Sequence, residues 1–290
     1  ICIYLGATTK DWLGERVWVM QGNYTAEDGR ASAALCVLEM IKSGTTAFVE
    51  SMLAERYGFD GVAEVVIQSG MRAAIGKIVM DLPSYAKTEG FMHPGMVEDG
   101  RTSVENTLAA FDRWNGAGDG RLQVWFGPRT PGGVSLELYD RIVALARERG
   151  MGITMHLSEV QEDLQYARAA GYRSPAELAM AHGLLGPRTV FAHCVWTDEE
   201  DWELFRRTGA TVSHTERDLP MNAILVGTLL FTLPLFALYQ NIVGDIAVSL
   251  PMTIIMIVAG FLFVSVSAYM AGLVGSSNNP VSGITICTIL

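Results

Sequence analysis

The sequence predicts an α/β fold in which about six short strands alternate with helices as a parallel sheet or barrel, followed by two α-helical membrane spans. Three observations predict it. Apolar runs of strand length recur between helix signals as far as Ser213. All 21 Lys and Arg lie at or before Arg217, whereas Asp218 and Asp245 are the only charges after it. Residues 219–244 are then uncharged, and so are Ile246 to Leu290; each run exceeds the roughly 20 residues that cross a bilayer.

In chain order, Thr25 with Asp28 three residues on starts the first helix as a capping box, with Ala31, Ala34, Leu35, Leu38 and Ile41 at helical spacing and a stop at Gly44. Strands are expected at Thr45–Val49, Met71–Val79, Leu122–Phe126, Gly152–His156, Thr189–His193 and Ala210–Ser213. Between them a helix ends at Gly70, and others fit Val104–Trp114, Leu136–Arg149, Pro175–Ala181 and Asp198–Arg207. Leu82 to Gly100, rich in Pro, Gly and polar residues, reads as a long loop, either a substrate-contacting loop or a plain connector. The spans are placed near Met221–Gln240 and Leu250–Val274, with a polar turn at Asn241–Asp245.

Residues 1–217 carry 21 positive and 29 negative charges, which disfavours nucleic acid as a partner. Cys2, Cys36, Cys194 and Cys287 show no paired spacing, which argues against a disulfide framework and a cysteine zinc site. Starting at Ile1 and stopping inside an apolar run, the sequence reads as cut at both ends, and no secretory leader is recognisable.

The candidate chemistry lies at strand ends. His156 stands in Met-His-Leu-Ser-Glu and His193 in Phe-Ala-His-Cys. In a parallel barrel the C-terminal strand ends converge, so side chains from separate strands meet at one pocket. Glu159, three residues beyond His156, is placed to move protons there. Taken singly, each histidine reads more readily as a hydrogen-bonded core residue. His93 and His182 read as loop and helix-end residues, and Trp12 and Trp18 as packing residues.

The run Leu38-Glu39-Met40-Ile41-Lys42-Ser43-Gly44-Thr45-Thr46 resembles the helix-to-strand signature of amidohydrolase-superfamily deaminases and chlorohydrolases. Trp125-Phe126-Gly127-Pro128, His156-Leu157-Ser158-Glu159, Val190-Phe191-Ala192-His193 and Ser213-His214 follow in family order, so the resemblance covers roughly residues 4–214. It implies a (β/α)8 TIM-type barrel, here incomplete, with one zinc or iron ion and a nucleobase-like or other nitrogen-heterocycle substrate. It also implies His156 as metal ligand, Glu159 as acid/base, His193 near the metal-bound hydroxide and His214 in the substrate pocket. The family's first-strand His-x-His pair and eighth-strand Asp have no counterpart here, which implies an impaired metal site.

The segment from Ala271 to Gly283, with Asn278-Asn279-Pro280, resembles the early region of the oligopeptide transporter family, as does Glu216-Arg217-Asp218-Leu219-Pro220. The expected division is therefore residues 1–215 as a truncated barrel and residues 216–290 as a membrane segment touching lipid through 219–290. Arg206, Arg207 and Arg217 precede the first span, which predicts a multi-pass membrane protein with a cytoplasmic amino-terminal domain. The readings that follow are a deaminase-type enzyme joined to membrane helices, a membrane protein carrying an inert barrel, and a join of two neighbouring genes near residue 217. The last would leave the first piece cytoplasmic.

Overall fold

The computed structural model describes residues 13–83, 92–214 and 221–274, and the chain forms two compact units that part between residues 216 and 217.

In the first unit, helix α1 (Ala26–Lys42) starts as its sequence requires. The Thr25 hydroxyl donates to Asp28 Oδ2 at 2.7 Å and the Thr25 N–H at 2.9 Å, while the Asp28 N–H donates back to Thr25 Oγ1 at 3.3 Å. The chain leaves α1 through Gly44, at a φ of +84° that favours glycine.

Strand β1 (Ala47–Leu53), α2 (Phe59–Ser69), β2 (Arg72–Val79), α3 (Gly100–Trp114), β3 (Leu122–Pro128), α4 (Leu136–Arg149) and β4 (Ile153–Leu157) follow. Then come α5 (Gln161–Ala169), α6 (Pro175–Ala181), β5 (Thr189–His193), α7 (Glu199–Thr208) and β6 (Thr211–His214). The six strands form one sheet in the order β1-β2-β3-β4-β5-β6, every pair parallel. This is a half-barrel, consistent with an incomplete (β/α)8 architecture. The expected strands are all present, with β1 shifted: it begins at Ala47 and runs on to Leu53. Helix α5 is an addition to the elements read from sequence.

Crossover helices cover a parallel sheet, which is why β2 is buried from Ala73 to Val79 rather than alternating. Helix α4 shows the complementary pattern, burying Leu138, Tyr139, Ile142, Val143 and Ala146 at three- and four-residue spacing. Those residues join Phe126, Ile153, Met155, Leu157 and Phe191 in one core cluster, and a second gathers Leu53, Tyr57, Phe59, Val62, Ile75 and Ile78. The edge strands β1 and β6 each pair on one side only within the described sheet. On the β1 side, Leu35, Leu38 and Ile41 of α1 and Val49 of the strand are exposed.

The sheet curls strongly enough for β1 to reach β4, where Ser51 Oγ and Thr154 Oγ1 lie 3.0 Å apart. Two glycines make room for that approach. A Cβ on Gly76 would lie 2.3 Å from Thr154 Cγ2 and 2.9 Å from the Glu50 carbonyl oxygen; one on Gly127 would lie 3.1 Å from the Ser51 carbonyl oxygen.

In the second unit, α8 (Met221–Val243) and α9 (Ile246–Val274) are separated by Gly244 and Asp245, within the turn expected from sequence. Asp245 Oδ1 accepts from the Ala247 N–H at 2.9 Å and so begins α9. Among the described residues one stretch, Val226–Val243 in α8, is long and apolar enough to cross a membrane; the apolar stretch Ile246–Leu262 of α9 is shorter. The Asn278-Asn279-Pro280 turn, residues 216–220 and residues 84–91 of the Leu82–Gly100 loop lie outside the described residues.

One buried ion pair ties the C-terminal end of β2 to the loop beyond it. The fully buried Lys77 ammonium donates to Glu98 and, at 3.2 Å, to Ser103 Oγ, with Glu55 at 3.5 Å. Glu98→Ala leaves that charge short of its nearest acid and is expected to destabilise the first unit by about 2 kcal/mol. Denaturant unfolding followed by near-ultraviolet circular dichroism reads the loss, and an unchanged midpoint assigns the pairing to Glu55.

Candidate active site

Parallel pairing in sequence order brings the ends of β4, β5 and β6 side by side. In the β4–β5 register Leu157 lies opposite His193, and in the β5–β6 register His193 lies opposite His214. His156 and His193 thereby come together with ring centroids 5.0 Å apart and planes inclined by 42°. Glu159, two residues past the end of β4, sets Oε1 3.6 Å from His193 Nε2, within ion-pair range and longer than a direct hydrogen bond. Its backbone is fixed by Asp163 in the first turn of α5, whose Oδ2 accepts from the Glu159 N–H at 2.8 Å.

His214 joins this group through the backbone. Its Nδ1 donates to the His193 carbonyl oxygen at 2.9 Å, and its ring stands edge-on to Trp202 with centroids 5.7 Å apart. The side chain is exposed on edge strand β6. His93 and His182 lie elsewhere: His93 accepts from the Gly95 N–H at 3.1 Å, and His182 caps α6 with Nδ1 2.8 Å from Asp140 Oδ1.

The strand ends are strained where they enter this pocket. Ser158, His193 and Cys194 have φ of 52°, 74° and 50°, and side chains in that region cost of order 1–3 kcal/mol each. The turn at His193 and Cys194 is held by the Cys194 N–H, which donates to the Leu157 carbonyl oxygen of β4 at 2.9 Å.

Two further ionisable groups belong to no motif in the sequence. Glu50 on β1 accepts from the Met52 N–H at 2.8 Å, and burial pushes its carboxyl above the usual range. Arg129 directly follows β3 and is buried; its carbonyl oxygen accepts from the His156 N–H at 3.2 Å. A charged residue immediately after an apolar strand and Gly-Pro was the available signal. A cavity of about 240 Å³ lined by Glu55, Arg56, Met80, Met96 and Glu98 lies beside the ends of β1 and β2, with none of His156, His193 and His214 in its lining.

Among the described residues no group of three or more His, Cys, Asp and Glu side chains is arranged to hold a metal ion, whereas catalytic zinc takes three protein ligands. His156 and His193 supply two nitrogens and Glu159 is engaged with His193. The described residues therefore do not complete a metal centre.

Burial, reinforced by the Arg129 charge and then by His193, pushes the His156 pKa well below its ordinary value. Burial lowers His193 as well, the Glu159 carboxylate opposing and Arg129 assisting that shift. Below about pH 6.5 the unfolded chain binds protons that the folded His156 does not, so stability is full above that pH and falls as the solution is acidified. Each such group contributes at most about 1.4 kcal/mol per pH unit. Melting temperature is expected to drop between pH 7.5 and 5.5, and His156→Asn is expected to flatten the drop.

Residues 3–224 match the family model described as Amidohydrolase family, and residues 178–290 match the one described as OPT oligopeptide transporter protein. A 5'-deoxyadenosine deaminase of Methanobrevibacter smithii is 32% identical over 203 residues, which are 70% of this chain and 43% of the relative. The chain thus spans less than half the length of that relative. Two solved structures share the fold: an adenosine deaminase from Xanthomonas campestris with bound zinc, and guanine deaminase from C. acetobutylicum with bound guanine. Each superposes with a TM-score of 0.60 at 22% identity, covering 70% of this chain and 43% and 47% of those chains respectively. With its matched region spanning most of the sequence and folding as a parallel half-barrel with histidines at its strand ends, the chain belongs to the amidohydrolase family.

Proposed function

We propose that the first unit is the catalytic wall of a hydrolase that removes an exocyclic amine from a nitrogen heterocycle, with Glu159 as the proton-transferring group. The observation that carries this is the meeting of Glu159, His193 and His156 at the ends of β4 and β5. A family relative that deaminates 5'-deoxyadenosine supports the substrate class.

In this reading Glu159 takes a proton from water as its oxygen bonds to the ring carbon, and hands that proton to the adjacent ring nitrogen. The second water proton goes to the departing amine, the carbon–nitrogen bond breaks and ammonia leaves. His193, in ion-pair range of Glu159, orients the water. His156 is the residue that would hold a zinc or iron ion, whose chemistry would be to acidify the attacking water, and His214 lies on the substrate side. Glu159→Gln is expected to lower kcat for ammonia release from 5'-deoxyadenosine or guanine by about 100-fold or more with little change in KM. Retained turnover in that variant removes Glu159 from the chemistry.

A second role is carried by a different observation, the exposed apolar face of α8. We propose that residues 1–215 and 216–290 are separate functional divisions, the second embedding in lipid through α8 and α9 with the first on the cytoplasmic side. The chain is expected to stay with the membrane in alkaline carbonate and to be released by detergent; carbonate release overturns the anchoring role.

A further inference from the structure

The segment from His193 to Asp198 leads from the strained end of β5 into α7, and it is tied down at both ends. At its start the Cys194 N–H donates to the Leu157 carbonyl oxygen and the Trp196 N–H to the Ser158 carbonyl oxygen, each at 2.9 Å. The Thr197 hydroxyl closes the turn by donating to the Cys194 carbonyl oxygen at 2.8 Å. At its far end Asp198 and Asp201 cap α7 reciprocally. The Asp201 N–H donates to Asp198 Oδ1 at 3.0 Å, and the Asp198 N–H to Asp201 Oδ2 at 3.3 Å.

That cap is gripped from the next helix along. Arg173, just before the start of α6, donates Nη1 to Asp198 and Nη2 to Asp201 Oδ1 at 2.6 Å, with Nε 3.1 Å from Glu200 Oε2. Ser174, the cap of α6, donates its hydroxyl to the same Asp201 oxygen at 2.6 Å. The arginine backbone is fixed in turn, its N–H donating to Glu177 Oε2 at 2.5 Å. An exposed ion pair contributes little, but Asp201 is 1% exposed, and a buried carboxylate deprived of its cation is costly. The Asp201 charge also reaches the turn: burial, and then that charge, push the Cys194 thiol up to about 12.

His193 and Cys194 hold φ of 74° and 50°, and such residues persist only where their surroundings over-determine them. The bonds to β4 fix one side of this turn, and the grip on Asp198 and Asp201 fixes the other. We propose that Arg173 is a positioning residue for His193: through the cap of α7 it holds residues 194–198 in place, and so keeps the imidazole against His156 and within reach of Glu159. Arg173 acts through the backbone and takes no part in the chemistry. The role it serves rests on reading these strand ends as a catalytic site.

The experiment uses the full chain in detergent micelles with ¹³C-labelled histidine rings, the His193 signals being assigned from their loss in His193→Gln. Arg173→Met is expected to displace the His193 ring signals while those of His93 stay in place. It is also expected to raise the rate at which N-ethylmaleimide alkylates Cys194, followed by peptide mass spectrometry, by at least about ten-fold, as local opening of the turn requires. Hydrogen exchange in β2 serves as the measure of the rest of the fold and is expected to stay at the parent rate. Arg173→Lys, which keeps the charge but not the fork, is expected to recover part of both effects. In turnover, Arg173→Met is expected to lower kcat for ammonia release by about ten-fold with KM unchanged. Unmoved His193 signals with unchanged alkylation overturn the proposal, and so does unchanged turnover in a variant whose His193 signals have moved. If Arg173→Met loses β2 protection as well, Arg173→Lys decides: displaced His193 signals with β2 protected support the role, and parallel loss of both overturns it. A parent chain that releases no ammonia from any heterocycle would fail the catalytic reading alone, since the ring signals and Cys194 report the positioning without turnover.

Discussion

Everything at the pocket depends on one constraint, the parallel pairing of six strands in sequence order. A parallel ladder between sequence neighbours requires the chain to return along a covering helix each time, so every strand delivers its C-terminal residue to the same side of the sheet. Register completes the effect. Leu157 opposite His193 and His193 opposite His214 fix three strand ends at one level, and the ring contact between His156 and His193 follows from that level. Side chains 37 residues apart in sequence become neighbours without any loop having to place them.

Much of this architecture was legible because strand and helix signals in this chain are local. Thr25 and Asp28 define a helix start within four residues, and the apolar runs ending in His156 and His193 announce strand ends whose direction the βα alternation supplies. Helix α5 was not legible: Gln161–Ala169 is short and mostly polar, and it forms because Asp163 ties its first turn to the Glu159 backbone. The extension of β1 to Leu53 was hidden by Glu50 and Ser51, which read as the polar end of an apolar run but are drawn into the sheet interior by the contact of Ser51 with Thr154. The six-strand count came through intact. For the membrane segment, composition marked two apolar runs, and among the described residues α8 has the length and composition to cross.

At the site, the positions of His156, Glu159 and His193 were legible and their electrostatics were not. A lone arginine after Gly-Pro reads as a solvated loop residue; its burial exists only once β2, β3 and β4 are assembled around it. The same assembly keeps His156 uncharged and sets a fixed positive charge beside two imidazoles. The site therefore brings together a carboxylate, two imidazoles and a buried guanidinium. It is made from four strand ends rather than from any contiguous motif.

The contact between β1 and β4 gives the two interior glycines a part in the chemistry that their lack of functional groups conceals. Thr154, whose methyl occupies the space a Gly76 side chain would take, stands two residues before His156 on the same short strand. Bend of the sheet and placement of the imidazole are thus mechanically linked: anything that straightens the sheet at Gly76 displaces His156 without touching it. Active-site geometry here is set by absent atoms, a kind of control invisible to any survey of reactive side chains.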